Sequence, residues 1–359
     1  MSRHPGMNLP EEMKGIRRID RSDMLSRVAA LPEQCRQGWR LGIGWNLPAS
    51  YRRSGHLLVL GMGGSAIGGD LLQGLAEQRM DRPITVNRSY HLPRWVNRHA
   101  LVLACSYSGN TEETLAASRE AVQRGARVIA LTSGGRLAAW SRRLRLPLLM
   151  IPSGLPPRAA VGYAAFAPLG LLVRLGWLQA RAFPLEEACD PLEEFIRCSL
   201  APAVPVPSNP AKRLALRLKG RLPILYGASG GWEGITYRWR TQLEENAKTV
   251  AFHHLFPEAT HNEISGWVEP RPVIRSSTAL FLMDPAIHPR TRRRMEFTGR
   301  IIRSRKARVE FVQVPGRSGL ERKLKLVALG DFVSVYLSLL YRIDPTPVKR
   351  VEALKRWLR

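Results

Sequence analysis

The chain is 359 residues long, 45% of its residues are hydrophobic, and its formal net charge is +26. This length and apolar content are typical of a soluble protein with two compact domains, and they argue against a disordered or fibrous chain. The charge favours anionic partners, but the basic residues form no run of five. We therefore interpret it as a solvated surface and expect no specific nucleic-acid partner.

The sequence contains no signal for a metal site, a cofactor or a membrane. Its four cysteines form no C-x-x-C pair, and no His, Glu and Cys cluster has metal-ligand spacing. The first twenty residues lack the apolar core of a signal peptide. Two apolar stretches are interrupted by Arg174 and Asp331, so neither reaches the roughly 20 residues of a membrane span. We predict a cytoplasmic protein without a cofactor.

The first half of the chain repeats a strand, a turn and a helix. Residues 1–50 form a largely helical lead-in, and three apolar runs follow, at His56–Leu60, Ala100–Ser106 and Arg127–Gly135. The first two end at polar turns that open predicted helices, one from about Ile67 and one over Glu112–Arg124. This order predicts βαβ units and a parallel sheet buried on both faces.

The second half restarts the same pattern after a long apolar helix and a proline-rich segment, residues 201–212. Strands are predicted in Arg221–Gly234, Ser277–Asp284 and Val309–Gly316, with a helix after the first and a basic helix between the other two. Two helices end the chain. We predict an α/β protein with a lead-in at 1–50, one domain at 51–200 and a second at 201–359.

Two turns carry candidate chemistry. The first, GMGGSAIGGD, places Gly64 and Ser65 at a helix start, where backbone N–H groups and the helix dipole favour a phosphate. A dinucleotide site and tight packing remain alternatives, although no acidic residue ends the next strand. The second turn, SYSGNTEET, gathers the hydroxyls of Ser106, Ser108 and Thr111, which suit a phosphate or an ordinary helix cap.

Together these two turns resemble the sugar isomerase (SIS) domain. With LEENAK and THNEISGW added, the chain resembles the bifunctional phosphoglucose/phosphomannose isomerase family from about residue 10 to its end. The resemblance implies two SIS domains, each a parallel sheet flanked by helices, and a homodimer with shared active sites. It also implies a metal-free aldose–ketose isomerase that converts glucose 6-phosphate and mannose 6-phosphate to fructose 6-phosphate through a cis-enediol.

The resemblance also assigns roles to individual residues. The phosphate contacts of the family fall on Ser65, Ser106, Ser108 and Thr111, and Thr346 lies by the substrate. The catalytic residues fall on Glu245, His261, Arg158 and Lys355. His253 and His254 lie close to His261 in the sequence, and only the resemblance selects between them. Glu244, next to the catalytic glutamate, departs from the family pattern, and like-charge repulsion there is expected to disturb a pKa.

These residue types suit the implied reaction. Moving a proton between C2 and C1 requires one base, which a carboxylate supplies, and ring opening suits a histidine. Carbon 2 becomes planar in the enediol, which explains how one enzyme accepts both sugars. The alternative is a non-catalytic SIS protein that senses sugar phosphates, and turnover of the sugars would separate the two hypotheses.

Overall fold

The computed structural model describes residues 15–358, so the predicted lack of a signal peptide concerns residues that lie mostly outside the described part. Its nine strands are β1 His56–Leu60, β2 Ile84–Asn87, β3 Ala100–Cys105, β4 Arg127–Thr132, β5 Leu148–Met150, β6 Leu222–Ala228, β7 Phe252–Phe256, β8 Ser277–Leu282 and β9 Arg308–Val312, counted over the described residues.

Helices surround these strands. Those of the first half are α1 Ile16–Ile19, α2 Met24–Ala29, α3 Leu31–Ile43, α4 Gly63–Ala76, α5 Glu112–Gln123, α6 Gly135–Arg143, α7 Val161–Arg174 and α8 Leu185–Phe195. Those of the second half are α9 Pro210–Leu218, α10 Glu233–Glu245, α11 Glu263–Gly266, α12 Arg271–Ser276, α13 Pro289–Ser304, α14 Gly319–Leu340 and α15 Lys349–Trp357.

The strands form two sheets. The first has the order β2-β1-β3-β4-β5 and the second β7-β6-β8-β9, and every pairing is parallel. The central strands β3 and β8 are buried along their whole length, which fits parallel sheets covered by helices on both faces. The predicted fold class, an α/β chain with two helix-flanked parallel sheets, is confirmed.

The structure differs from the sequence prediction at the sheet edges and at one helix start. Strands β5 and β7 were not predicted, because they are short and half-exposed and their apolar pattern is weak. The expected helix start near Ile67 is wrong, since α4 begins at Gly63. The glycine turn therefore forms the first turn of the helix itself.

The described part of the predicted lead-in, from residue 15 on, packs against the helix that follows the first sheet. Helix α3 lies on α7 so closely that a Cβ on Gly42 would fall 2.1 Å from the carbonyl oxygen of Ala167. A Cβ on Gly170 would likewise fall 2.6 Å from the Trp39 carbonyl oxygen. Only glycine permits this backbone approach, so the close contact depends on these residues. The predicted domain boundaries remain a prediction.

The two halves are joined by a second close helix contact, between α4 and α10. A Cβ on Gly234 would lie 2.9 Å from Asp70, and one on Gly74 would lie 2.7 Å from the Gly231 carbonyl oxygen. None of the helices in residues 15–358 combines the length and apolar character that crossing a bilayer requires.

Candidate active site

The first glycine turn lies at the carboxyl end of β1, where α4 begins. A Cβ on Gly64 would fall 2.7 Å from the carbonyl oxygen of Pro157, so the segment that carries Arg158 rests directly on this turn. The Ser65 side chain is buried, and its hydroxyl oxygen accepts the backbone N–H of Tyr107 at 3.2 Å. Gly64 thus brings Arg158 close to Ser65, and the hydrogen bond joins Ser65 to the second turn.

The second turn follows β3, next to β1 in the sheet. The buried Ser106 hydroxyl donates to the Thr111 hydroxyl oxygen at 2.9 Å, and the exposed Ser108 hydroxyl accepts the Asn110 N–H at 3.3 Å. Gly109 has φ +68 and lies against Gly134 with no room for a side chain. The structure therefore gathers the predicted hydroxyls of the two turns at one edge of the first sheet, beside the amino end of α4.

Arg158 connects the first half of the chain to the second through its side chain. Its side chain is 4% exposed and lies on a short 3-10 helix, Pro157–Ala159. The guanidinium donates to the Asn246 amide oxygen at 2.6 Å and to the carbonyl oxygens of Pro345 at 2.7 Å and Thr346 at 2.9 Å. Burial lowers the pKa of Arg158, and the carboxylate of Glu245 opposes that shift.

Glu245 ends helix α10 and meets this guanidinium. Its carboxylate lies 3.4 Å from Arg158 Nη1, and its side chain is 34% exposed, so it is held by a cation and still open to solvent. The neighbouring Glu244 pairs with Arg240 at 3.6 Å instead. Burial raises the pKa of Glu244, and repulsion from Glu245 adds to that rise while Arg240 opposes it.

A buried polar network supports the Arg158 contact and was not predicted from the sequence. Arg238 donates to the Arg158 carbonyl oxygen at 3.0 Å and pairs with Asp331 at 2.7 Å, and both of these side chains are 2% exposed. The Asn246 amide donates to Ser334 at 2.9 Å. The only sequence signal was Asp331, a charge inside an apolar helix pattern, which we interpreted as a break in a membrane-span candidate.

We expect the substitution Asp331→Asn to destabilise the protein by about 3–5 kcal/mol, because it leaves the buried guanidinium of Arg238 without a counter-charge. Chemical denaturation of both proteins measures this difference. Glu269→Gln is the control, since its partner Arg271 is exposed and such pairs contribute about 0–1 kcal/mol. Equal losses in the two variants would contradict the role of the buried pair.

His261 lies in an exposed loop after β7. The next residue but one, Glu263, holds that loop, because its carboxylate accepts the Tyr226 hydroxyl and also contacts His254 Nδ1. His254 therefore already has a hydrogen-bond partner, the carboxylate of Glu263. His253 stacks on Tyr237, and burial lowers the pKa of His253 to about 4. Of these three histidines, His261 is the most open to solvent.

His261 and Glu245 lie at opposite edges of the second sheet. Helix α10 connects the parallel strands β6 and β7, so it runs antiparallel to them and ends at their amino edge. His261 follows the carboxyl end of β7. The 13 residues of α10 span about 20 Å, which separates the two edges. The structure therefore brings Glu245 to Arg158 and does not bring the same chain's His261 to them.

The last two predicted residues differ in their surroundings. The Thr346 hydroxyl is buried and has no hydrogen-bond partner among the described residues, while its carbonyl oxygen binds Arg158. Lys355 lies on α15, which is exposed along its whole length, and has no ion pair within residues 15–358. Residues 15–358 contain no group of three or more His, Cys, Asp or Glu side chains arranged to hold a metal ion.

Two hydroxyl-bearing turns lie at the carboxyl edge of a parallel sheet, and an arginine that packs on the first of them holds a carboxylate. This arrangement is that of an α/β protein of the phosphosugar-binding class. Residues 207–358 match the family described as bacterial phospho-glucose isomerase C-terminal SIS domain. The bifunctional phosphoglucose/phosphomannose isomerase of Caldicellulosiruptor bescii is 40% identical over 335 residues, 93% of this chain and 98% of its own. The chain belongs to the bifunctional phosphoglucose/phosphomannose isomerase family.

Further comparisons agree with this assignment. The bifunctional phosphoglucose/phosphomannose isomerase of Thermoplasma acidophilum is 33% identical over 301 residues, 84% of this chain and 89% of its own. Among solved structures, a hypothetical protein from Thermus thermophilus superposes with a TM-score of 0.73 at 17% identity, over 97% of this chain and 94% of its own. That likeness concerns the fold alone, and the fold is the one predicted from the sequence.

Proposed function

We propose that this chain interconverts glucose 6-phosphate and mannose 6-phosphate with fructose 6-phosphate through a cis-enediol, with Glu245 as the base. The observation that carries the proposal is the 3.4 Å contact between Arg158 Nη1 and the partly exposed carboxylate of Glu245, made by an arginine whose backbone packs on the turn that holds Ser65. Family membership indicates the isomerase activity, and the contact supports the proposal that Glu245 carries out the proton transfer.

The geometry fits the proton transfer. Arg158 uses its Nε and Nη2 groups on oxygens of Asn246, Pro345 and Thr346, which leaves Nη1 to face Glu245. One N–H of Nη1 remains for the oxygen that becomes negative in the enediolate. Glu245 then removes a proton from C2 and returns it to C1, and return to either face of C2 in the reverse direction gives glucose or mannose configuration.

The two turns suit the phosphate of the substrate. Ser65, Ser106, Ser108 and Thr111 offer hydroxyl donors, and the amino end of α4 adds a favourable dipole. We expect Ser106→Ala to raise KM for sugar phosphates about tenfold with a smaller change in kcat, because it removes a hydrogen bond to a charged group. Steady-state kinetics measures this. The control is Ser133→Ala, a serine of the neighbouring turn after β4 whose hydroxyl donates to the Tyr107 carbonyl oxygen.

The ring-opening histidine is proposed to come from a second copy of the chain. A chain's own His261 and Glu245 lie at opposite edges of its second sheet, so a complete site requires the His261 of another subunit. A homodimer with two shared sites meets this requirement. Lys355, on the exposed helix α15, stays a predicted second cation of the site.

The experiment that tests the proposal is a turnover assay. The purified protein is given glucose 6-phosphate and mannose 6-phosphate separately, with and without EDTA, and fructose 6-phosphate is measured. We expect turnover of both sugars that EDTA does not alter. Binding of sugar phosphates without any turnover would overturn the proposal in favour of a sugar-phosphate sensor. Loss of turnover in EDTA would overturn the metal-free mechanism.

A further inference from the structure

Lys248 is a half-buried cation of the site that neither the family comparison nor the sequence pattern assigned. It lies in the LEENAK segment, three residues after Glu245, and its backbone has φ +54. This left-handed conformation lets the chain turn back over the end of α10. The Lys248 ammonium group donates to the carbonyl oxygen of Glu245 and, at 3.0 Å, to the carbonyl oxygen of Pro345.

The same carbonyl oxygen of Pro345 also accepts Arg158 Nη2, at 2.7 Å. Arg158 therefore holds the carboxylate of Glu245, while Lys248 holds its backbone, and both cations are attached to the loop that carries Thr346. Three segments that are distant in the sequence meet through these two side chains. An ammonium group has three N–H donors, and the two carbonyl oxygens use two of them.

We propose that Lys248 is a positioning residue for the isomerisation: its positive charge fixes the backbone of Glu245 against the loop that holds Thr346, so that the carboxylate points at the substrate carbons. The inference rests on the proposed function, because it takes Glu245 as the base. A displacement of the base by about 1 Å costs up to about a hundredfold in rate. The effect should therefore appear in kcat, since the phosphate-binding turns lie on the other domain.

The charge of Lys248 changes with pH within the range in which the isomerase can be assayed. Burial is the main reason that the pKa of Lys248 is lowered to about 8, and the positive charge of Arg158 lowers it further. Glu245 and Asp344 face the ammonium group and oppose the shift. Lys248 is charged below pH about 8 and neutral above it, so its charge-assisted hydrogen bonds weaken as the pH rises through that value.

Helix capping is a simpler role for Lys248, and it predicts different results from the proposed positioning of Glu245. A lysine near the end of a helix often binds the last carbonyl groups and only stabilises the helix terminus. Such a cap would change the melting temperature but would not couple the protonation of Lys248 to turnover. The test therefore requires a pH profile as well as a rate.

The experiment compares the wild type with Lys248→Met, Lys248→Arg and the matched control Lys323→Met over about pH 6 to pH 10. Lys323 is also half-buried, its pKa is likewise lowered to about 8 by burial, and it binds the Gly74 carbonyl oxygen away from Glu245. We expect the wild type to lose kcat as the pH rises through about 8. We expect Lys248→Met to have a kcat about 10- to 100-fold lower, without that decline. Lys248→Arg should restore the rate and stay active in alkali, and Lys323→Met should keep the decline.

Each other outcome overturns the inference. A Lys248→Met enzyme with the rate and profile of the wild type shows that the lysine does not position the base. Equal losses in the Met and Arg variants with an unchanged alkaline decline indicate a cap only. If Lys248→Met does not fold, the wild-type and Lys248→Arg profiles decide alone. Failure of the proposed function would give a different result from failure of this inference. In that case the wild type would not turn over sugar phosphates, or the Glu245→Gln variant would remain active.

Discussion

Replacing the carboxylate of Glu245 by an amide is expected to lower kcat for both sugar phosphates by about a thousandfold or more. The amide keeps the size of the side chain but cannot remove a proton, and it also loses its charge interaction with Arg158. Binding of the substrate phosphate should persist, since the turns that carry Ser65 and Ser106 are unchanged. Fructose 6-phosphate formation and a separate binding titration measure the two effects.

Glu244→Gln is the matched control for this prediction. Glu244 is the adjacent carboxylate on the same helix, of the same charge, and it pairs with Arg240 at the surface of the helix at 3.6 Å. We expect its substitution to leave kcat within about threefold of the wild type, because Glu244 pairs with Arg240 of its own helix and does not contact Arg158. Should the two variants lose activity equally, or should Glu245→Gln remain active, Glu245 would not be the base.

The second large effect concerns the proposed sharing of active sites between two subunits. We expect Glu245→Gln and His261→Ala homodimers to be nearly inactive, while a heterodimer with one variant on each chain has about half of the wild-type activity per dimer. One of its two sites combines an intact Glu245 with the partner's intact His261. Co-expression with two different affinity tags and tandem purification yields the heterodimer, and the isomerase assay then measures it.

The reciprocal heterodimer is the control. It pairs a wild-type chain with a chain that carries both substitutions, so each of its shared sites has one defect and it should be nearly inactive. Sites built within one chain would reverse the two results. A protein that is a monomer at assay concentration and still turns over sugar phosphates would also contradict the shared site, because His261 and Glu245 of one chain are separated by the length of α10.

Much of the fold could be predicted from the sequence, because apolar runs bounded by polar turns indicate buried parallel strands. Strands β1, β3, β4, β6, β8 and β9 coincide with such runs. The strand β7 did not, since two histidines interrupt it and Phe252 is 55% exposed. An edge strand obtains its order from pairing with a neighbour, here β6, so its own side chains carry little pattern.

The residues of the candidate site were likewise predicted only in part. The sequence indicated Ser65, Ser106, Thr111, Glu245 and Arg158 through motifs and resemblance. The structure places the three hydroxyls at the carboxyl edge of the first sheet and pairs Arg158 with Glu245. The sequence did not indicate Asn246, Lys248 or Arg238. These side chains hydrogen-bond to one another and to backbone carbonyl oxygens. Every residue type has a backbone carbonyl, so the sequence does not show which of them accepts such a bond.

By itself the sequence determined the two-sheet α/β architecture, the hydroxyl-bearing turns and the family, because local periodicity and short motifs express strand burial and turn chemistry directly. Only the tertiary structure decided what surrounds the base. Arg158 meets Asn246 across 88 positions and Pro345 across 187 positions of the chain. The packing of the end of α10 and of the loop at Pro345 against the Arg158 segment creates those contacts, and no local pattern of residues encodes that packing.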